Sequence, residues 1–277
     1  MTPSGTSSGT TNAKAGGAAA GSGSTQFLAG KHALVTGGAR GIGEAITRAL
    51  IAHGARVTMT GRDAKRLEQA SRELGAAFIV SDVTDRDDVV RTAKTTRDTS
   101  GRIDILVNNA GQVGSAPFLK TDAELWRRMM AVNLDGTYHF TQAALPGMLE
   151  SGWGRIVNVA STSGLVGYAY VSAYCAAKHA VIGLTRALAI EVAARGVTVN
   201  AVCPGYTDTD MVRDSVERII AKTGRTKEAV LAELTARNPQ KRFVLPEEVA
   251  NAVAWLCLPG SEAVNGQAIA IAGGEVM

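Results

Sequence analysis

In the stretch SAYCAAKHA, residues 172–180, Tyr174 and Lys178 stand four positions apart. On a helix such residues share one face. A phenol with a reference pKa of ~10 is a poor acid–base group near neutrality, but an adjacent ammonium favours the phenolate and lowers that value. The two together can move a proton. Taken alone, YxxxK has a plainer meaning, a tyrosine at the core edge beside a solvated lysine. A second stretch, TGGARGIG at 36–43, places Gly37, Gly41 and Gly43 where a tight turn and close backbone approach are possible. A pyrophosphate can rest there on the unpaired N–H groups and positive dipole end of the helix that follows. The alternative is a plain strand-to-helix turn, and the surrounding elements have to decide.

Those elements alternate. HALVT (32–36), ARVTMT (55–60), AAFIVSD (76–82), IDILVNN (103–109), GRIVNVAS (154–161), GVTVNAVCP (196–204) and QAIAIAGG (267–274) read as seven strands. Helical periodicity intervenes through His53 and over 63–74, 85–99, 122–150 and 172–194. Continuous Val/Ile/Ala runs predict strands covered on both faces, and right-handed crossovers then give an α/β fold, a doubly wound seven-stranded parallel sheet of Rossmann type. Residues 27–277 are expected to form one domain. The helical segment 206–242 has no strand of its own and is a candidate lid. Of residues 1–25, 21 are Gly, Ser, Thr or Ala, so a disordered low-complexity tail is expected over 1–26.

Composition narrows the function classes. The formal charge is +4, but the basic residues are scattered rather than grouped, and a nucleic-acid partner is not expected. Apolar runs fall short of the ~20 residues of a membrane span. Cys175, Cys203 and Cys257 are widely spaced without a CxxC pair, and the four histidines lack ligand spacing, so neither disulfide framework nor metal is expected. A leader of basic-then-apolar pattern is not seen, which sets a cytoplasmic expectation.

With the glycine loop directly after strand one and spaced GxxxGxG, the chain resembles the short-chain dehydrogenase/reductase family over residues 30–274. NNAG at 108–111, Asp82 with Val83, and Pro204–Gly205 followed by Thr207 and Thr209 match further family motifs in order. Singly, the asparagines could be turn formers and Asp82 a helix cap with Asp85. The resemblance implies a nicotinamide cofactor held by Gly37, Arg40, Gly41, Ile42, Gly43, Arg62, Asp82, Val83, Asn109, Ala110, Gly111, Pro204, Gly205, Thr207 and Thr209. It implies catalysis by Asn133, Ser161, Tyr174 and Lys178, the last two also contacting the cofactor. Ser161 lies 13 residues before Tyr174, at a strand's carboxyl end where open α/β sheets gather active residues. In ASTSG alone, Ser163 is an equal candidate, and Asn133 could merely bond backbone at a helix kink.

The implied reaction is reversible hydride transfer between nicotinamide and a carbonyl or secondary alcohol. Tyr174 would exchange the proton, Ser161 would hold the oxygen, Lys178 would tune Tyr174, and Asn133 would position a water. Where NAD users of the family end strand two with an acid, this chain has Gly61 and Arg62, with Arg40 in the glycine loop. Two guanidinium groups suit a 2′-phosphate, so NADP(H) is favoured over NAD(H); Arg62 stacking on adenine and Asp63 turning inward are the alternatives. Similarity to 3-oxoacyl reductases and 3-hydroxyacyl-thioester dehydrogenases suggests a thioester substrate, with Lys222, Arg225, Lys227, Lys241 and Arg242 of the lid facing carrier phosphates or solvent. A cyclic or aromatic ketone and a sugar alcohol stay open, as does a nonenzymatic cofactor-sensing regulator. The resemblance also implies a homotetramer.

Overall fold

The computed structural model describes residues 26–277; the low-complexity leader lies outside the described residues. Seven strands, β1 (His32–Thr36), β2 (Arg56–Gly61), β3 (Ala77–Val80), β4 (Ile105–Asn108), β5 (Gly154–Val159), β6 (Val197–Pro204) and β7 (Ala268–Ile271), form one sheet in the order β3-β2-β1-β4-β5-β6-β7. Every pairing is parallel. The expected doubly wound sheet forms, and its strand order reverses between β1 and β4, where a ligand crevice opens beyond the strand ends.

Period-2 alternation sends successive side chains to opposite layers. Val35, Val107 and Val157 point into one core with Ile46 and Leu50 of α1 (Gly41–Ala52), Leu67 of α2 (Ala64–Leu74) and Val249, Val253 and Leu256 of α9 (Pro246–Cys257). Leu34, Leu106 and Ile156 point the other way, onto Val89 of α3 (Arg86–Ser100), Phe140 and Met148 of α5 (Gly136–Ser151) and Val192 of α6 (Ser172–Val192). Each such aliphatic side chain, fully buried, is worth ~1.5–3 kcal/mol, which is why the central strands carry apolar residues at both parities.

Two expectations need correcting. The edge strand β3 is not covered on both faces: Phe78 and Val80 are exposed, because β3 ends the sheet. The helix expected over 122–150 is interrupted. α4 (Ala123–Met130) passes into a single π-helical turn, Ala131–Asp135, before α5 begins. Asn133 sits in that turn and its side-chain amide donates to Met129 O at 2.9 Å, the carbonyl an unbroken α-helix would pair with the Asn133 N–H. The segment after β6 holds α7 (Asp210–Thr223) and α8 (Lys227–Thr235) and returns to α9 through Val244, which bridges Thr207. Among the described residues no helix is long and apolar enough to cross a membrane.

Candidate active site

The glycine loop owes its shape to backbone crowding. Gly37 has φ +64°, and a Cβ on Gly43 would lie 2.1 Å from Gly37 O, so neither position accepts a side chain without rebuilding the turn. The loop is clipped to the end of β4: Asn109 Nδ2 donates to Thr36 O at 2.9 Å and Gly37 O at 3.1 Å, and Thr36 Oγ1 accepts from the backbone N–H groups of Asn109 and Ala110. The Asn109 amide therefore shapes the loop. Arg40 is the N-cap of α1 and makes no side-chain cap, which leaves the first-turn N–H groups available to an anion. Ile42 packs from the loop into the core. These residues fit the pyrophosphate of a dinucleotide.

Around this loop the other expected contacts spread along the strand ends. Thr209 rests on Gly41, where a Cβ would meet its Cγ2 at 3.1 Å, while Thr207 Oγ1 donates to Gly205 O at 3.0 Å, and Gly205 N reaches Ile271 O across from Pro204. A cleft of about 280 Å³ beside the loop is lined by Ala39, Arg40, Gly41, Arg66, Thr209 and Arg213. Asp82 is a turn former, accepting from Thr84 N and Thr84 Oγ1, and Asp85 is the cap of α3. Arg62 lies 3.8 Å from the Asp82 carboxylate. The Val83 side chain is buried against Gly136 of α5.

The residues expected to carry the chemistry converge at the end of β5. Ser161 caps a short 3₁₀ turn, Thr162–Gly164, and its Oγ accepts from Ser163 N at 3.1 Å. Its side chain stands beside the Tyr174 phenol and favours the phenolate. The structure thus brings Ser161, not Ser163, to the tyrosine. Lys178 is 3% exposed, and its Nζ donates to Val159 O at 2.9 Å and stands 5.7 Å from the Tyr174 ring centroid. Asn133, 1% exposed, donates to Gln112 O and Met129 O and accepts from Gln112 N. A Cβ on Gly111 would lie 3.1 Å from Asn133 Oδ1 and 3.6 Å from Lys178 Nζ, so the glycine lets both side chains approach the backbone there.

The electrostatics overturn one expectation. Burial pushes the Tyr174 phenol up to about 12, with Ser161 acting the other way, and burial brings the Lys178 ammonium down to about 8. The net direction at both groups is set by desolvation, which penalises the charged form of each. At pH 7 each keeps its proton, so the pair is set to donate. Cys203 of β6 is buried, and burial raises its thiol to about 11, which makes it inert.

The lid cations are less available than expected. Arg225 pairs with Glu233, Arg242 with Glu248 at 2.6 Å, and Lys241 donates to Ala236 O at 2.7 Å. Arg237, which sequence reasoning misses, stacks on the Tyr168 ring at 4.9 Å. Thr36 and Glu275 are missed as well, whereas Tyr168 falls within the 163–170 loop expected to line the substrate. A threonine ending strand one is a weak signal for Thr36, but nothing local marks Glu275.

A family model described as short chain dehydrogenase matches residues 31–219. The chain belongs to the short-chain dehydrogenase family. Over 256 residues it is 39% identical to a D-beta-hydroxybutyrate dehydrogenase of Cupriavidus necator, covering 90% of this chain and 99% of that one. It is 38% identical to a 3-oxoacyl-acyl-carrier-protein reductase of Vibrio harveyi, again over 90% and 99%. An actinorhodin polyketide ketoreductase variant solved with NADPH superposes with a TM-score of 0.85 at 38% identity, covering 88% of this chain and 97% of that one. As a short-chain dehydrogenase, this protein is an NAD(P)-dependent oxidoreductase acting between a carbonyl and a secondary alcohol.

Proposed function

We propose that this short-chain dehydrogenase reduces a 3-oxoacyl thioester with NADPH, and that Ser161, Tyr174, Lys178 and Asn133 carry the chemistry within a single catalytic unit, 27–277, whose lid is 206–242. The observation that carries the site is a protonated phenol beside Ser161, with the buried Lys178 ammonium 5.7 Å from its ring centroid. The nicotinamide, when bound, exchanges hydride with the carbonyl carbon. Ser161 and Tyr174 hold the carbonyl oxygen between two hydroxyls, and Tyr174 gives it the proton. Lys178 supplies positive charge as the phenolate develops, and Asn133 positions a water that links Lys178 to solvent. The other expected loop and strand-end residues are proposed as the cofactor's contacts, with Asn109 acting through the shape of the glycine loop.

The substrate class is supported by the names of the relatives, which act on 3-hydroxybutyrate and on 3-oxoacyl and polyketide chains. A panel of acyl thioesters, free 3-oxo acids, cyclic ketones and sugar alcohols, run with both cofactors, tests it. Preference for a cyclic ketone or sugar alcohol would replace the thioester reading, and tight cofactor binding without turnover anywhere would favour a regulator.

NADP(H) preference rests on two local facts. Asp63 is the N-cap of α2, accepting from Arg66 N at 3.1 Å, which turns one of its carboxylate oxygens onto its own helix. Arg40 is exposed and forms no salt bridge among the described residues. A charge-assisted hydrogen bond is worth ~1.5–3 kcal/mol, so Arg40→Ala is expected to lower kcat/KM with NADPH about tenfold or more while leaving NADH nearly unchanged. Arg62, already facing Asp82, should give a smaller loss. Equal losses with both cofactors would show that neither arginine reads a 2′-phosphate. A homotetramer fits the exposed Trp126, Tyr138 and Ile190 of α4, α5 and α6; light scattering should give the mass of four chains, and a monomer would refute it.

A further inference from the structure

Beyond β7 the chain turns through Gly273 and Gly274, both at positive φ, and brings Glu275 back toward the site. Its Oε1 lies 2.6 Å from the Tyr168 hydroxyl, and the same hydroxyl lies 2.9 Å from Thr162 Oγ1. A phenol has one proton, and a carboxylate has none to give. Tyr168 therefore donates to Glu275, and the Thr162 hydroxyl donates to the phenol oxygen. Thr162 is the neighbour of Ser161, and Tyr168 belongs to the loop that joins Ser161 to Tyr174. On its other side Glu275 meets the strand end: a Cβ on Gly205 would lie 3.0 Å from Oε2 and 3.2 Å from Ala272 Cβ. The Arg237 guanidinium from the lid covers the Tyr168 ring. One carboxylate near the chain's end thus joins the serine turn, the Gly205 segment and, through Tyr168, the lid.

We infer that Glu275 is a positioning residue for the reaction: its carboxylate fixes Tyr168, and through Tyr168 and Thr162 the Ser161 turn, against the Gly205 segment. This rests on the catalytic reading of Ser161 and Tyr174. Glu275 touches no reacting atom. Its contribution is to hold the serine hydroxyl and the nicotinamide-side strand end in one frame, and small misplacements at such sites cost rate steeply.

The test measures single-turnover rates, KM and thermal midpoints for Glu275→Gln, Glu275→Leu, Tyr168→Phe and the double variant Tyr168→Phe/Glu275→Leu, using the panel ketone that wild type reduces fastest. Glu275→Leu and Tyr168→Phe should each slow the reduction about tenfold with KM little changed. The double variant should be no slower than either single one, since both remove the same link. Glu275→Gln keeps an acceptor and should recover most of the rate. An unchanged rate in Glu275→Leu, or losses that multiply in the double variant, would overturn the inference, as would a fall in thermal midpoint with the rate kept. If Glu275→Leu does not fold, Tyr168→Phe and Glu275→Gln decide alone, the first slow and the second near wild type. Failure of the catalytic reading shows separately, as turnover surviving in Tyr174→Phe.

Discussion

Tyr174→Phe is expected to bind NADPH within a few-fold of wild type and to lose turnover by about 10³-fold or more, the upper range for removing a positioned acid–base group. The change deletes one oxygen and keeps the ring, so the packing of α6 is preserved. What disappears is the proposed proton donor beside Ser161. In the proposed reading cofactor affinity comes chiefly from the glycine loop and the strand ends, which this substitution does not touch. Fluorescence titration with NADPH and steady-state reduction of the best panel ketone separate the two effects. Turnover within tenfold of wild type would remove Tyr174 from the mechanism.

The second large effect is in the pH dependence. The kcat/KM for reduction should hold from pH 6 to about 7.5 and fall as pH passes through about 8, because Lys178 loses its proton there while Tyr174, pushed up to about 12, retains its own. The alkaline limb then belongs to the lysine. Stability should move the opposite way over that range. Lys178 titrates near 8 in the fold and near 10.5 unfolded, so between those values the unfolded chain binds more protons and raising the pH stabilises the fold. The penalty for burying the ammonium is fully present below pH 8 and is relieved above it. A thermal midpoint that rises or holds between pH 8 and 9.5 while reduction declines distinguishes loss of the ammonium from loss of the fold. Lys178→Met should abolish the limb together with most of the turnover. A limb that persists in that variant, or one that starts only above pH 10, would assign the titration elsewhere.

Much of the site is legible in the residue order because its parts are local. GxxxGxG specifies a turn through backbone sterics that Gly37 and Gly43 satisfy within seven residues. Tyr174 and Lys178 share a face because helical geometry puts residues four apart together. Strand runs such as HALVT and GRIVNV reveal double coverage because both parities are apolar. The same locality misleads in three places. Periodicity over 122–150 does not register one extra residue in a turn, so the π turn at Asn133 is invisible to it. Edge exposure of β3 depends on which strand lies outermost, which no strand states for itself. An ammonium beside a phenol suggests a lowered pKa, yet the depth of burial around both groups decides its direction.

The strands of the sheet, the phosphate-binding turn and the pairing of Tyr174 with Lys178 all follow from sterics or periodicity over a few residues, and so can be read along the chain. Other features exist only once the elements have packed. Ser161 rather than Ser163 meets Tyr174, and Glu275 closes on Tyr168 from 107 residues away. Those contacts join elements whose approach is set by the packing of the whole sheet, and chain distance carries no record of it.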